Sequence, residues 1–103
     1  MKTPEHYEKQ AIDAFLKKLG PERAWWFNPY MAGYGKSGVG DKVACICGYF
    51  WNIEVKRPGK EPTAIQTRRM DEVRKAGGQA VAGTAEVVIQ ALTDWLAVRG
   101  IVV

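Results

Sequence analysis

Apolar positions recur along the chain with two different periods. Between Pro4 and Leu19 they fall at Ile12, Phe15, Leu16 and Leu19, three and four residues apart, which predicts a helix with one buried stripe. Thr3 can cap this helix with Pro4 at its first position, and Gly20-Pro21 ends it. Ala24 to Met31 carries Trp25, Trp26, Phe27 and Tyr30 and predicts a strand. Ala32 to Gly40 holds four glycines in nine residues and predicts a loop. Asp41 to Ile46 and Tyr49 to Lys56 read as two strands about a Cys47-Gly48 turn, and Arg57 to Pro62, with two prolines, is a link. A second helix is expected over Thr63 to Ala76, closed by Gly77-Gly78, then a short strand over Gln79 to Ala82. A third helix, Thr84 to Val98, would bury Val88, Ala91, Leu92 and Trp95, and an apolar tail follows from Ile101 to Val103. The order is α-β-β-β-α-β-α, an α/β arrangement with a mixed sheet flanked by helices.

Composition narrows the class. One domain over residues 1–103 is expected, with 47% hydrophobic residues, a globular rather than a disordered balance. No apolar run approaches the roughly 20 residues of a membrane helix, so no membrane partner is expected. Met1 to Lys9 is polar and charged, unlike a secretory leader, which makes the cytoplasm the expected location. Cys45 and Cys47 stand one residue apart, a poor zinc pair and a strained disulfide, and read as reduced thiols in a strand. His6 is the one histidine and is expected to face solvent.

The net charge is +4, and its distribution says more than its size. From Lys56 to Lys75 there are seven basic residues against three acidic ones, so this stretch holds an excess equal to that of the whole chain. Such a run is either a solvated helix face or a surface for phosphates. Lys42, Arg57, Lys60, Arg68 and Arg69 are the candidate phosphate contacts.

The strand Tyr49 to Lys56 alternates, so Glu54 and Lys56 face the same space as Phe50 and Asn52. A Glu-x-Lys alone arises by chance in roughly a third of chains this long. The hairpin adds a constraint. If Cys47-Gly48 is a two-residue turn, Ile46 faces Tyr49 and Asp41 falls opposite Glu54. Two carboxylates about 5 Å apart on one face repel unless a cation joins them. Lys56 is one such cation and a divalent metal is the better one, held by Asp41, Glu54 and the main-chain carbonyl of Val55. An exposed ion-pair cluster of little energetic worth is the plain alternative.

Together these residues resemble a known family. Gly38-Val39-Gly40-Asp41, Cys45, Phe50, Ile53-Glu54-Val55-Lys56, Pro62-Thr63, Gln66 and Ala76-Gly77-Gly78 resemble the VRR-NUC (virus-type replication-repair nuclease) domain of the PD-(D/E)XK superfamily. The similarity runs from about Pro4 to Ala82. It implies a restriction-endonuclease-like core with Asp41, Glu54 and Lys56 as catalytic residues and Mg²⁺ or Mn²⁺ as cofactor. The family's helix glutamine corresponds to Gln66, which the spacing also places in a Thr63-x-x-Gln66 capping box. Its first-helix acid corresponds to Glu5, with Glu8 one turn on as the alternative; an acid there departs from a position that is usually apolar. Gly40 stands where the name-giving proline would be.

The resemblance further implies a structure-specific DNA endonuclease of the phage or bacterial stand-alone type, a Holliday-junction resolvase acting as a homodimer. Trp25-Trp26-Phe27 and Ile101 to Val103 are candidate interface elements, with burial in the core as the rival reading. A flap or general duplex nuclease, a non-catalytic DNA-binding module and a protein-binding domain with exposed aromatics are the competing functions.

Overall fold

The structure, a computed structural model, describes residues 3–29 and 37–103. The expected far end of the first strand and most of the glycine-rich segment lie outside the described residues. Elsewhere the elements follow the expected order: α1 (Pro4–Leu19), β1 (Ala24–Phe27), β2 (Lys42–Ile46), β3 (Tyr49–Val55), α2 (Ala64–Lys75), β4 (Gln79–Gly83) and α3 (Ala85–Val98). β1 is shorter than its aromatic content predicts and stops before Pro29, which has no N–H to give a ladder. Each helix begins at a threonine. Thr3, Thr63 and Thr84 accept from the backbone N–H of His6, Gln66 and Val87, satisfying donors that the first turn leaves orphaned.

The sheet has the order β1-β2-β3-β4, antiparallel through the first three strands and parallel between β3 and β4. The β2–β3 hairpin turns on Cys47 and Gly48, with φ of 51° and 87°. Both values are positive, as a turn that matches the twist of two antiparallel strands requires. Cys47 adopts this conformation against its own preference, and its N–H donates to the Arg23 carbonyl at 2.7 Å, which ties the hairpin tip to the start of β1. The resulting register pairs Ile46 with Tyr49 and runs to Lys42 with Ile53.

One face of the sheet packs against α1 and α3. Ala44, Ile46, Trp51, Ile53 and Val55 meet Ile12, Leu16 and Leu19 of α1 and Val88, Leu92 and Leu96 of α3 in a single core. On the other face, α2 lies over β3 and β4, bringing Val73 near Phe50 and Gln66 near Glu54. β3 is the central strand, and Trp51 to Val55 are buried on both of its faces. The aromatic segment divides by alternation: Trp26 leans on the core, whereas Trp25 and Phe27 are exposed and touch each other. The C-terminal tail divides similarly, with Ile101 against the core and Val102 and Val103 exposed. No helix of the described residues is long and apolar enough to cross a membrane.

Lys42 corrects an expectation. Its place among the candidate phosphate contacts is ruled out, because its side chain is fully buried. Its ammonium meets Asp13 Oδ1 at 2.7 Å and donates to Asn28 Oδ1 at 3.1 Å; Asp13 also accepts from Trp26 Nε1. The reason is parity: residue 42 shares the inward face of β2 with Ala44 and Ile46. Removing one partner of a buried pair leaves an uncompensated charge, which costs about 3–5 kcal/mol. Asp13→Ala should therefore destabilise the protein by about that much in urea unfolding. Lys42→Met should cost far less, because Asp13, a third exposed, can turn to water.

Candidate active site

Asp41 sits one residue before β2, where the hairpin register continues to Glu54. Its Oδ2 accepts from the backbone N–H of Val55 at 2.8 Å, so the carboxylate is pinned across the end of the hairpin. Its Oδ1 is 3.3 Å from the ammonium of Lys9 on α1. Glu54 is 4% exposed. Its Oε1 accepts from Gln66 Nε2 at 3.0 Å and lies 3.8 Å from Lys56 Nζ. Glu54 Oε2 is buried and has no hydrogen-bond partner among the described residues.

Burial pushes the Glu54 carboxyl up to about 8, and the neighbouring Asp41 carboxylate adds to the rise through its charge and its capacity to accept the Glu54 proton. Lys56 opposes this and Glu5 adds a smaller push in the same direction as Asp41. The protonated form can thus bond to Asp41, whereas the ionised form leaves Oε2 unpartnered. A cation between the two groups would remove that penalty. Among the described residues no group of three or more His, Cys, Asp or Glu is arranged to hold a metal ion. Two carboxylates and one carbonyl nevertheless fit a hard cation that keeps several of its waters, and the orphaned Oε2 is the oxygen such an ion would satisfy.

Gln66 makes both a capping contact and a contact to Glu54. Oε1 accepts from the Thr63 N–H at 2.9 Å and completes the capping box, while Nε2 reaches Glu54. Of the two first-helix acids, Glu8 points elsewhere. Its Oε1 accepts from the Ala85 N–H at 3.1 Å, at the start of α3. Glu5 lies beside the site and lines a cleft of about 470 Å³ with Thr3, Pro4, Lys56, Arg57, Lys60, Glu61 and Thr63. Three cations against two acids, with the N-terminal end of α1, leave this cleft with a small positive excess. Arg57 and Lys60 are thus beside Lys56 as expected. Arg68 is not in that cleft; it lies on the outer face of α2 with Asp71, Glu72 and Lys75. Arg69 is held by the Ser37 carbonyl at 2.7 Å and by both oxygens of Glu72, which takes up much of its donor capacity. His6, expected in solvent, is half-buried, with Nε2 shielded.

Gly40 explains its own departure from the proline. Its N–H donates to Asn52 Oδ1 at 2.7 Å, and a Cβ there would stand 2.6 Å from the Ile53 carbonyl oxygen. A proline would lose the bond and collide with β3. Lys9, Asp13 and Asn52 also support the site, although no sequence motif marks them. Asp13 and Asn52 are recoverable from the facing of α1 and β3. Lys9 shares the face of α1 that carries Glu5 and Asp13, but its partner Asp41 is distant in the chain.

Two outcomes follow. In EDTA the folded protein keeps a proton on Glu54 that the unfolded chain releases above about pH 4.5, so this group favours folding at low pH and the benefit is lost as pH rises to about 8. Urea unfolding of wild type relative to Glu54→Gln should show that loss between about pH 5 and about pH 8, and parallel profiles would refute it. Gly40→Ala should cost about 1–3 kcal/mol by the same measurement, as overpacking does.

No family model matches the sequence, and no curated protein matches it. Among solved structures, a chain described as a VRR_NUC domain matches with a TM-score of 0.74 at 21% sequence identity, covering 90% of this chain and 97% of that one. The three helices and four-stranded mixed sheet described above thus form the restriction-endonuclease-like fold of a VRR_NUC domain.

Proposed function

We propose that this protein is a metal-dependent DNA endonuclease that hydrolyses phosphodiester bonds in branched DNA, with Asp41, Glu54 and Lys56 as its catalytic residues. The observation that carries the reading is the cross-strand placement of Asp41 and Glu54 with the Lys56 ammonium 3.8 Å from Glu54. The fold shared with a VRR_NUC domain supports it. Asp41, Glu54 and the Val55 carbonyl would hold Mg²⁺ or Mn²⁺. When bound, the ion supplies charge neutralisation at the phosphate and acidity to a water.

The remaining work belongs to side chains. Lys56, only 13% exposed at its side chain, holds its charge close to the attacked phosphate and orients the incoming water. Gln66 fixes the rotamer of Glu54 by donating to Oε1 and is itself fixed by the capping box. Arg57 and Lys60, in the cleft beside Lys56, grip backbone phosphates without reading sequence. A homodimer would double the site for a four-way junction, and the exposed Trp25–Phe27 pair on edge strand β1 is the surface we assign to it.

A labelled panel of four-way junction, flap and plain duplex, incubated with Mg²⁺ or Mn²⁺ and with EDTA, tests the reading. Wild type should cut with metal and not with EDTA, and Lys56→Ala should lose about 10²–10⁴-fold of the rate. Absence of product from every substrate at every metal concentration would leave a DNA-binding module without catalysis.

A further inference from the structure

Glu5, Lys9 and Asp13 stand four residues apart on α1 and form one polar stripe along the ends of the strands. Asp13 answers the buried Lys42, and Glu5 borders the cleft beside Lys56. Lys9 between them answers Asp41, with Nζ 3.3 Å from Oδ1. The oxygens of the carboxylate pair are therefore nearly all engaged. Asp41 Oδ2 accepts from Val55 N–H and Glu54 Oε1 accepts from Gln66, while Oε2 alone is unpartnered among the described residues. A divalent ion bridging Asp41 and Glu54 would meet Lys9 on the oxygen it needs.

We propose that Lys9 is the resident counter-ion of this site: its ammonium occupies the Asp41 oxygen in the metal-free protein and must be exchanged for the divalent ion. The inference rests on the metal-dependent reading above. Exchange is feasible because the Lys9 side chain is 37% exposed and flexible, so it can swing into water without repacking its surroundings. Lys42 contrasts with it, since its ammonium is fully buried and anchored twice. Lys9 thus lowers the affinity for metal while balancing the Asp41 charge when metal is absent. It is a positioning residue that tunes when the site fills.

The test is Mn²⁺ binding, followed by the loss of the free-ion magnetic resonance signal, on wild type, Lys9→Met and Lys9→Gln. Both variants should bind Mn²⁺ about fivefold more tightly, the size expected for loss of one partly exposed competing ion pair. In EDTA their thermal midpoints should fall below wild type, and the gap should close at saturating Mn²⁺, which a merely structural ion pair would not do. In an Asp41→Asn background, Lys9→Met should change neither quantity. Equal or weaker Mn²⁺ binding by both Lys9 variants overturns the counter-ion role while leaving the metal site intact. Absence of Mn²⁺ binding in wild type and in both variants would overturn the metal reading and this inference together.

Discussion

The β2–β3 hairpin holds two carboxylates where they repel each other, and much of the surrounding structure answers that repulsion. A Cys47-Gly48 turn with two positive φ values sets the register, and the Arg23 carbonyl, just before β1, anchors it. Once Ile46 is opposite Tyr49, Asp41 has no freedom to avoid Glu54. The cost appears as a Glu54 carboxyl raised to about 8 by burial and by its neighbour. Lys56, Lys9 and the Gln66 amide each take up part of it. What is left over is Glu54 Oε2, buried and without a hydrogen-bond partner among the described residues.

α1 serves this arrangement with two separate stripes. Ile12, Leu16 and Leu19 drive it onto the sheet by burial. Glu5, Lys9 and Asp13 then fall along the strand ends, and Glu8 closes the first turn of α3. The buried Lys42–Asp13 pair is a costly way to hold a helix, because desolvation of the ammonium offsets most of the attraction. Its value is directional: with Asn28 and Trp26 on the same pair, α1 is fixed against β1 and β2 at Lys42, next to Asp41. The apolar stripe determines that α1 docks, and the ion pair determines in what register.

α2 makes a second coupling between secondary structure and chemistry. Gln66 caps its own helix with one end of its amide and steadies Glu54 with the other. The two duties do not compete, because an amide offers an acceptor and donors on different atoms. Formation of the first turn of α2 and orientation of the Glu54 carboxyl are consequently one event.

Much of the fold is legible in the sequence because its determinants are local. Threonine caps, the 3.6 and 2.0 periods, and a two-residue turn specify seven elements, their order and the hairpin register, and from that register the pairing of Asp41 with Glu54. Aromatic content overextends β1, because it outweighs Pro29 where local chemistry favours a stop. The tertiary structure decided what depends on residues distant in the chain. It buried Lys42, which looks like any surface lysine until the sheet face beneath α1 is known. It divided the basic stretch into a cleft at Arg57 and Lys60 and an outer helix face at Arg68, and it gave Arg69 to Ser37 and Glu72. It sent Glu8 to the Ala85 N–H and left Glu5 in the cleft with Lys56, and it brought Lys9 to Asp41. Spacing within a strand or helix is set by backbone geometry and can be read from sequence, whereas the partner of a long charged side chain is set by how separate elements pack.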